Sequence, residues 1–131
     1  MKLPRKLVLD AGALIEMERN PRGELSQACD RALDEGARPL LPTVVWAQVY
    51  RHSSRQITLT RLRKACQTVP FTDETADQVS RLLTRSGTRD VVDAAVVVAA
   101  LHHESVIVSS DPADMRDLGR AVGVQLEVVE V

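Results

Sequence analysis

The sequence has few aromatic residues and no long apolar run, and each shortage excludes a class of protein. Only Trp46, Tyr50 and Phe71 are aromatic, too few for a domain that binds single strands by stacking their bases on a sheet. No apolar run approaches the roughly 20 residues of a membrane span. The basic start leads into Asp10 without an apolar stretch of signal-peptide length. We therefore expect a cytoplasmic protein that does not bind membranes.

Cysteine and histidine are also scarce. Cys29 and Cys66 lie far apart and outside any CxxC pair, which argues against a disulfide framework and a cysteine-type zinc site. We expect both to be small core residues. The adjacent residues His102 and His103 cannot face the same way on a helix, so they make a poor metal clamp.

A length of 131 residues and a hydrophobic fraction of 44% predict a single domain, residues 1–131, with a buried core. Short β-branched apolar runs alternate with segments of helical periodicity. Strands are predicted at 7–9, 38–41, 106–108 and 125–131. Helices are predicted at 11–19, 23–35, 57–66, 90–102 and 111–122. Two further helices are predicted in the segments that follow Pro42 and Thr72. This alternation is typical of a three-layer α/β/α domain with a mostly parallel sheet.

Several residues mark the expected helix ends. Thr43 and Thr72 are expected N-caps, and Gly87 is expected to end the helix that Thr72 begins. The segment 90–102 is almost wholly apolar after Asp93, so this helix is predicted to be central and buried.

The carboxylates fall at the ends of predicted strands and at the start of the buried helix. Asp10 and Asp111 each follow a strand, and Asp90 and Asp93 open the buried helix. Because ligand sites in open α/β sheets form outside the carboxyl ends of the strands, these acids are predicted to meet at one edge.

Each acid taken alone also fits a helix cap. Asp90 with Asp93, and Asp111 with Asp114, have the spacing of a capping box, and Pro112 takes the favoured first helical position. Caps do not require a charge, however, and clustered carboxylates repel one another unless a cation lies among them. The oxygen ligands favour Mg²⁺ or Mn²⁺, and the use of such ions points to phosphate chemistry with an activated water.

Two other phosphate-processing classes lack their motifs. Haloacid-dehalogenase-type phosphatases carry a DxD motif after the first strand, where this chain has Asp10-Ala11-Gly12. A Walker A loop is absent as well, which disfavours an NTPase.

Four segments resemble the motifs of PIN-domain ribonucleases, and of VapC-type toxins in particular. In chain order they are LVLDAGALI (7–15), PTVVWAQVYR (42–51), DVVDAA (90–95) and VSSDPADM (108–115). The resemblance implies a metal-dependent endoribonuclease that leaves 5′-phosphate and 3′-hydroxyl ends, the toxin of a toxin–antitoxin pair. It implies two protein partners, an antitoxin chain that covers the site and a second copy of the chain in a homodimer.

The resemblance also assigns roles by position. Asp10, Asp93 and Asp111 match the acids that hold the metal. Asp90 and Asp114 match auxiliary acids, and Ser109 or Ser110 matches a hydroxyl that orients a water or a carboxylate.

Gln48 departs from the pattern, because the family usually has Glu at this catalytic position. An amide oxygen can ligate or accept a hydrogen bond, but it carries no charge and cannot act as a base. We expect weaker metal binding, and a second interpretation follows: a PIN fold with little or no catalysis that binds RNA or a partner. A partly buried Gln48 with only local hydrogen bonds is the structural alternative. A third interpretation is a purely structural domain whose acids are caps.

The net charge of -1 conceals a strongly basic segment. Residues 37–72, here called the basic segment, contain no Asp or Glu and carry a charge of +6, whereas the rest of the chain carries -7. Five cations lie on or beside one predicted helical region and are candidates for binding an RNA backbone: Arg51, Arg55, Arg61, Arg63 and Lys64. A solvated surface, or a face for an acidic partner, is the alternative.

Overall fold

The computed structural model describes residues 1–131 and contains one five-stranded sheet in which all neighbouring strands are parallel. The strands are β1 (Leu7–Leu9), β2 (Leu40–Pro42), β3 (Gln67–Val69), β4 (Val106–Ser109) and β5 (Val128–Glu130). Their order across the sheet is β3-β2-β1-β4-β5. The predicted α/β fold is confirmed, with a sheet that is wholly parallel.

Seven α-helices flank the sheet. They are α1 (Ala11–Arg19), α2 (Glu24–Asp34), α3 (Thr43–Val49), α4 (Ile57–Ala65), α5 (Asp73–Ser86), α6 (Val91–His103) and α7 (Pro112–Ala121), and a 3₁₀ turn (Ser54–Gln56) precedes α4. None of these helices combines the length and the apolar character that crossing a membrane requires.

The core lies between the sheet and the helices that cover it. Residues 94–97 of α6 are all buried, and β1 is fully buried along its length, as the apolar runs predict. Each fully buried aliphatic side chain stabilises the fold by about 1.5–3 kcal/mol. Cys29 and Cys66 are free thiols in this core, and burial raises their pKa values to about 11 and about 12, which confirms the structural role expected of them.

Most of the expected helix ends are confirmed. The Thr72 hydroxyl accepts a hydrogen bond from the N–H of Thr75 at 3.1 Å, and Gly87 ends α5 with a left-handed φ of 68°. The expected N-cap at Thr43 is wrong, because β2 extends through Pro42, which takes the cap position and leaves Thr43 as the first helical residue.

Three strands differ from the prediction. Residues 38–41 were expected to form a strand, but β2 begins only at Leu40. β3 was not predicted, since Gln67 and Thr68 are exposed at the edge of the sheet and give no apolar pattern. The last strand is also shorter than expected, Val128–Glu130.

The strand order places a topological switch point between β1 and β4. From β1 the chain builds outwards through β2 and β3, then returns to form β4 on the other side of β1. Leu9 pairs with Val108 at the carboxyl end of this strand pair. Ligand sites of open α/β sheets form at such a point, because the connections leave the two strands in opposite directions.

Candidate metal centre at the β1–β4 edge

Asp10 joins the end of β1 to the start of α1. Its N–H donates to the carbonyl of Val108 at 3.1 Å, and its carboxylate accepts from the N–H of Ala13 at 2.7 Å. Asp10 is therefore a helix cap, as one interpretation of the sequence expected. It is also only 4% exposed, and a buried carboxylate is a costly choice for a cap that Ser or Thr could supply.

Gly12 lets the start of α1 lie directly against the loop after β4. A Cβ at this position would overlap Ser110 Oγ, lie 2.6 Å from Ser110 Cβ and lie 3.3 Å from Ser110 N. The contact with Ser110 Cβ, at 2.6 Å, is far shorter than an ordinary van der Waals contact, and rotating the Ser110 hydroxyl cannot relieve it. Because Gly12 has no side chain, the start of α1, which includes Asp10, can lie close to the end of β4.

The end of β4 contributes a hydroxyl and a carboxylate. Ser109 is fully buried, and its Oγ accepts from the N–H of Asp111 at 2.8 Å. Asp111 occupies the N-cap position of α7, but its side chain makes no capping hydrogen bond. The carboxylate of Asp111 is therefore available for another role, whereas the loop that carries it is fixed by Ser109.

The start of α6 contributes two more carboxylates. Asp90 accepts from the N–H of Asp93 at 2.9 Å and so caps the helix. Asp93 lies in the first turn and is half-buried. The charges of Asp10 and Asp111 act on Asp93, so the first turn of α6 lies beside the edge where β1 and β4 end.

The pKa values show that the five acids form one electrostatic cluster. The pKa of Asp93 is raised to about 6, first by burial and then by the negative charges of four neighbours, Asp90, Asp10, Asp114 and Asp111. Burial likewise raises the pKa of Asp10, and hydrogen bonding by the Ser109 hydroxyl and by the N–H groups of Ala13 and Ser110 offsets part of that rise. These five aspartates are called the acidic edge below.

No protein cation neutralises the acidic edge. The structure contains two ion pairs, one between the Met1 amino group and Glu24 and one between Arg120 and Asp117. Neither includes a carboxylate of the acidic edge. Close carboxylates without a cationic partner repel one another, which is the condition that a bound cation would relieve.

The acidic edge suits a hard divalent ion in its donor chemistry. All the side chains that converge there offer carboxylate or hydroxyl oxygens, the ligands that Mg²⁺ and Mn²⁺ prefer. As the side chains are placed, no three His, Cys, Asp or Glu residues form a group that could hold a metal ion. The types of donor atom fit such an ion, but the carboxylates would have to move closer together to bind it.

Gln48 lies exposed near the C-terminal end of α3. The alternative that made it a partly buried residue is therefore wrong. α3 packs against α1 and α6, two of the three helices that begin at the acidic edge. The position of Gln48 as a possible oxygen ligand stays a prediction.

Two arginines of the basic segment are engaged in contacts within the protein. The Arg51 guanidinium donates to the carbonyls of Ala47 and Tyr50 at 2.9 and 2.8 Å and so completes the C-terminal end of α3. The Arg63 guanidinium lies 4.7 Å from the centre of the Trp46 ring, a cation–π contact. Three other cations of the segment are exposed on or beside α4: Arg55, Arg61 and Lys64.

Gln56, a buried amide within the basic segment, was not predicted as a structural residue. Its Nε2 donates to Glu18 Oε2 at 2.9 Å and to the carbonyl of Val49 at 3.0 Å, and its Oε1 accepts from the N–H of Arg51 at 2.8 Å. These bonds join the end of α3 to α1. A polar residue in the polar run 53–56 gives no sequence signal of burial.

Comparison with known proteins identifies the family. The family model of the PIN domain matches residues 7–121, and the chain belongs to that family. The resemblance seen in the four motifs is thus confirmed. No curated protein matches the sequence.

Solved structures with the same fold include a toxin–antitoxin complex. VapBC2 from Rickettsia felis, bound to a promoter DNA fragment, has a TM-score of 0.68 at 11% identity, with 95% of this chain and 98% of that chain covered. FitAcB from Neisseria gonorrhoeae has a TM-score of 0.65 at 13% identity, covering 95% and 96%. A toxin–antitoxin complex from Klebsiella pneumoniae has a TM-score of 0.61 at 16% identity, covering 82% and 88%. At these identities the likeness establishes the fold.

Proposed function

We propose that the chain, as a single PIN domain over residues 1–131, is a divalent-metal-dependent endoribonuclease and the toxin of a toxin–antitoxin pair. One observation carries the proposal: Asp10, Asp93 and Asp111 come from distant parts of the chain to one edge, where they remain without a protein cation. Caps alone would not need charge at all three positions.

The chain's own residues prepare this edge for phosphodiester hydrolysis. Asp10, Asp93 and Asp111 would hold Mg²⁺ or Mn²⁺, with Asp90 and Asp114 as auxiliary acids. When bound, such an ion polarises a phosphoryl oxygen and lowers the pKa of a water that attacks in line. Ser109 fixes the loop that carries Asp111, and Ser110 offers a hydroxyl at the surface beside it.

The partners belong to the same proposal. We propose an antitoxin chain, a second copy of the chain and an RNA substrate, all in the cytoplasm. The solved structures of the fold that support the first partner are complexes of toxins with antitoxins. Exposed cations of the basic segment, with Arg51 and Arg63 beside them, are candidates for contacts to the RNA backbone.

The test is cleavage of structured and single-stranded RNA with Mn²⁺, with the Asp10→Asn variant as control. Asparagine keeps the helix cap and removes the charge, so the variant should fold and should lose activity by at least about 100-fold. Equal cleavage by the two forms would mean that the activity belongs to a contaminant. Added Mn²⁺ should also raise the melting temperature of the parent but not that of the variant.

Gln48 supports a second candidate, a PIN domain that binds RNA or a partner with little catalysis. An uncharged residue at this position removes one of the four ligating or activating groups of the family pattern. RNA binding without any Mn²⁺-dependent cleavage in the parent would favour this candidate.

A further inference from the structure

A cavity of about 550 Å³ opens directly onto the acidic edge. Its lining includes Asp90, Asp93 and Asp114, and it also includes two cations, Arg85 of α5 and Arg120 of α7. None of the cations of the basic segment lines this cavity. The cations that share this cavity with the acidic edge therefore come from a part of the chain that its charge pattern did not single out.

Of these two cations, Arg85 is the one available to a ligand. Arg120 is paired with Asp117 on its own helix, whereas Arg85 belongs to neither ion pair of the structure. A phosphate that approaches a cluster of carboxylates is repelled by them, and a free guanidinium beside the cluster offsets that repulsion.

Arg85 also lines a second cavity, of about 600 Å³, on the same side of the molecule. The two cavities adjoin along α7 as well, since Ala121 lines the first and Val122 the second. The second cavity contains Arg81 and no carboxylate, together with the polar side chains of Gln78, Ser80, Thr84 and His102.

Arg81 and Arg85 lie one turn apart on the exposed face of α5, about 6 Å along the helix axis. Both are exposed. A chain molecule with a negative charge on each repeat could therefore engage both arginines as it leaves the acidic edge. Hydroxyl and amide side chains beside them are donors of the kind that contact phosphates and sugars.

We propose that Arg85 and Arg81 bind successive phosphates of a single-stranded RNA whose scissile phosphate lies at the acidic edge. The inference rests on the proposed function and adds a direction to it: the strand leaves the site between α5 and α7. This path along Arg85 and Arg81 is called the track below. An RNA is favoured over an acidic peptide as its occupant because the phosphate that follows the scissile one is joined to it by the same chain, and phosphate is the group that the proposed metal site acts on.

The experiment measures binding of a fluorescent, unstructured single-stranded RNA to the Asp10→Asn protein, so that no cleavage interferes. Adding Arg81→Ala and Arg85→Ala should weaken binding about ten-fold at low salt and make the salt slope shallower by about 1.4, since each phosphate contact on a single strand contributes about 0.7. Arg19→Ala with Arg22→Ala is the matched control, which removes two exposed arginines outside both cavities and should bind like the Asp10→Asn protein.

Further measurements separate the possible failures. Arg81→Lys with Arg85→Lys should restore most of the salt slope, which a folding defect would not. An unchanged slope in the double alanine variant, with normal RNA binding, overturns the track and leaves the ribonuclease proposal standing. Absence of RNA binding in every form, together with absence of cleavage by the parent, overturns both. Poly-glutamate is tested in the same way. If its binding depends on Arg81 and Arg85 while RNA binding does not, the cavities bind an acidic peptide and the track is overturned.

Discussion

The acidic edge and the basic segment carry opposite charges, yet no ion pair joins them. At the acidic edge the carboxylates raise one another's pKa values and have no cationic partner. In the basic segment, Arg51 completes a helix end and Arg63 lies over a tryptophan ring, so part of the charge supports the fold. Charge at the acidic edge thus costs stability, which the proposed metal ion would restore, whereas part of the charge in the basic segment supports the fold.

The largest effect on the acidic edge is expected from the substitution Gly12→Ala. The added methyl group would force the loop at Ser110 to move and would separate Asp111 from Asp10. Overpacking costs about 1–3 kcal/mol, of which alanine's better helix propensity returns up to about 1 kcal/mol. We expect Mn²⁺-dependent cleavage to fall by about 100-fold, since small displacements at a reacting centre have effects of that size.

Gly119→Ala is the matched control for this change. Its added Cβ would lie 2.7 Å from Leu126 Cγ, an overpacking of similar severity outside the acidic edge. This variant should lose stability in thermal unfolding and keep its cleavage rate per folded molecule. Similar losses of cleavage in both variants would indicate a general effect of packing.

The second effect concerns stability without metal and its dependence on pH. Because the folded pKa of Asp93 is about 6 and its ordinary value is 3.8, the folded state binds the proton more tightly. The corresponding stability is complete below pH 3.8 and is lost as the pH rises through 6. With solvent screening taken into account, the loss is about 1–2 kcal/mol.

Asp93→Asn should remove that loss and raise the melting temperature at pH 7 in the presence of a chelator. Urea unfolding from pH 4 to pH 7 measures it, with Asp77→Asn, an exposed acid of α5, as the control that keeps the parent's profile. A parent profile unchanged by Asp93→Asn would contradict the electrostatic description of the acidic edge.

The third effect tests whether Gln48 belongs to the same site as the acidic edge. Gln48→Glu should tighten Mn²⁺ binding by roughly ten-fold, because ligand charge sets the affinity of such sites. Titration calorimetry measures the change, and Gln125→Glu, an exposed position before β5, controls for net charge. Equal affinity in the parent and Gln48→Glu would remove Gln48 from the site.

The smallest effect is expected in the basic segment. Arg55→Ala with Arg61→Ala should weaken RNA binding a few-fold and make its salt slope shallower by up to about 1.4, with little change in stability. Arg51→Ala with Arg63→Ala should instead lower the melting temperature, because it removes a helix-end contact and a cation–π contact worth about 0.5–1 kcal/mol. An unchanged salt slope in the first pair would exclude its role in RNA binding.

The sequence predicted the strands that are apolar and the helices with clear ends, and it missed what depends on contacts across the chain. β1 is buried along its length and α6 is buried over residues 94–97, so their apolar composition indicates their place. β3 is an exposed edge strand with polar residues, which no apolar pattern predicts. Strand order was not predicted either, although the position of Asp10 and Asp111 after strands was enough to place them at one edge.

The finer features of the site were beyond sequence reasoning for a similar reason. Nothing in Asp10-Ala11-Gly12 indicates that Gly12 touches Ser110, because that contact spans most of the chain. Gln56 lies in a polar run and Arg85 lies on an exposed helix face. Only the fold joins Gln56 to Glu18 and brings Arg85 beside the acidic edge.

The contact between Gly12 and Ser110 has a consequence for when the site can form. It joins two segments that are separated by nearly the whole chain, and contacts of such long range form late because a large loop must close first. During synthesis the first acid emerges early, but its partner Asp111 emerges only after six of the seven helices. A nascent chain that has not yet exposed Asp111 would therefore lack the assembled edge, so the proposed activity could begin only after this residue has left the ribosome.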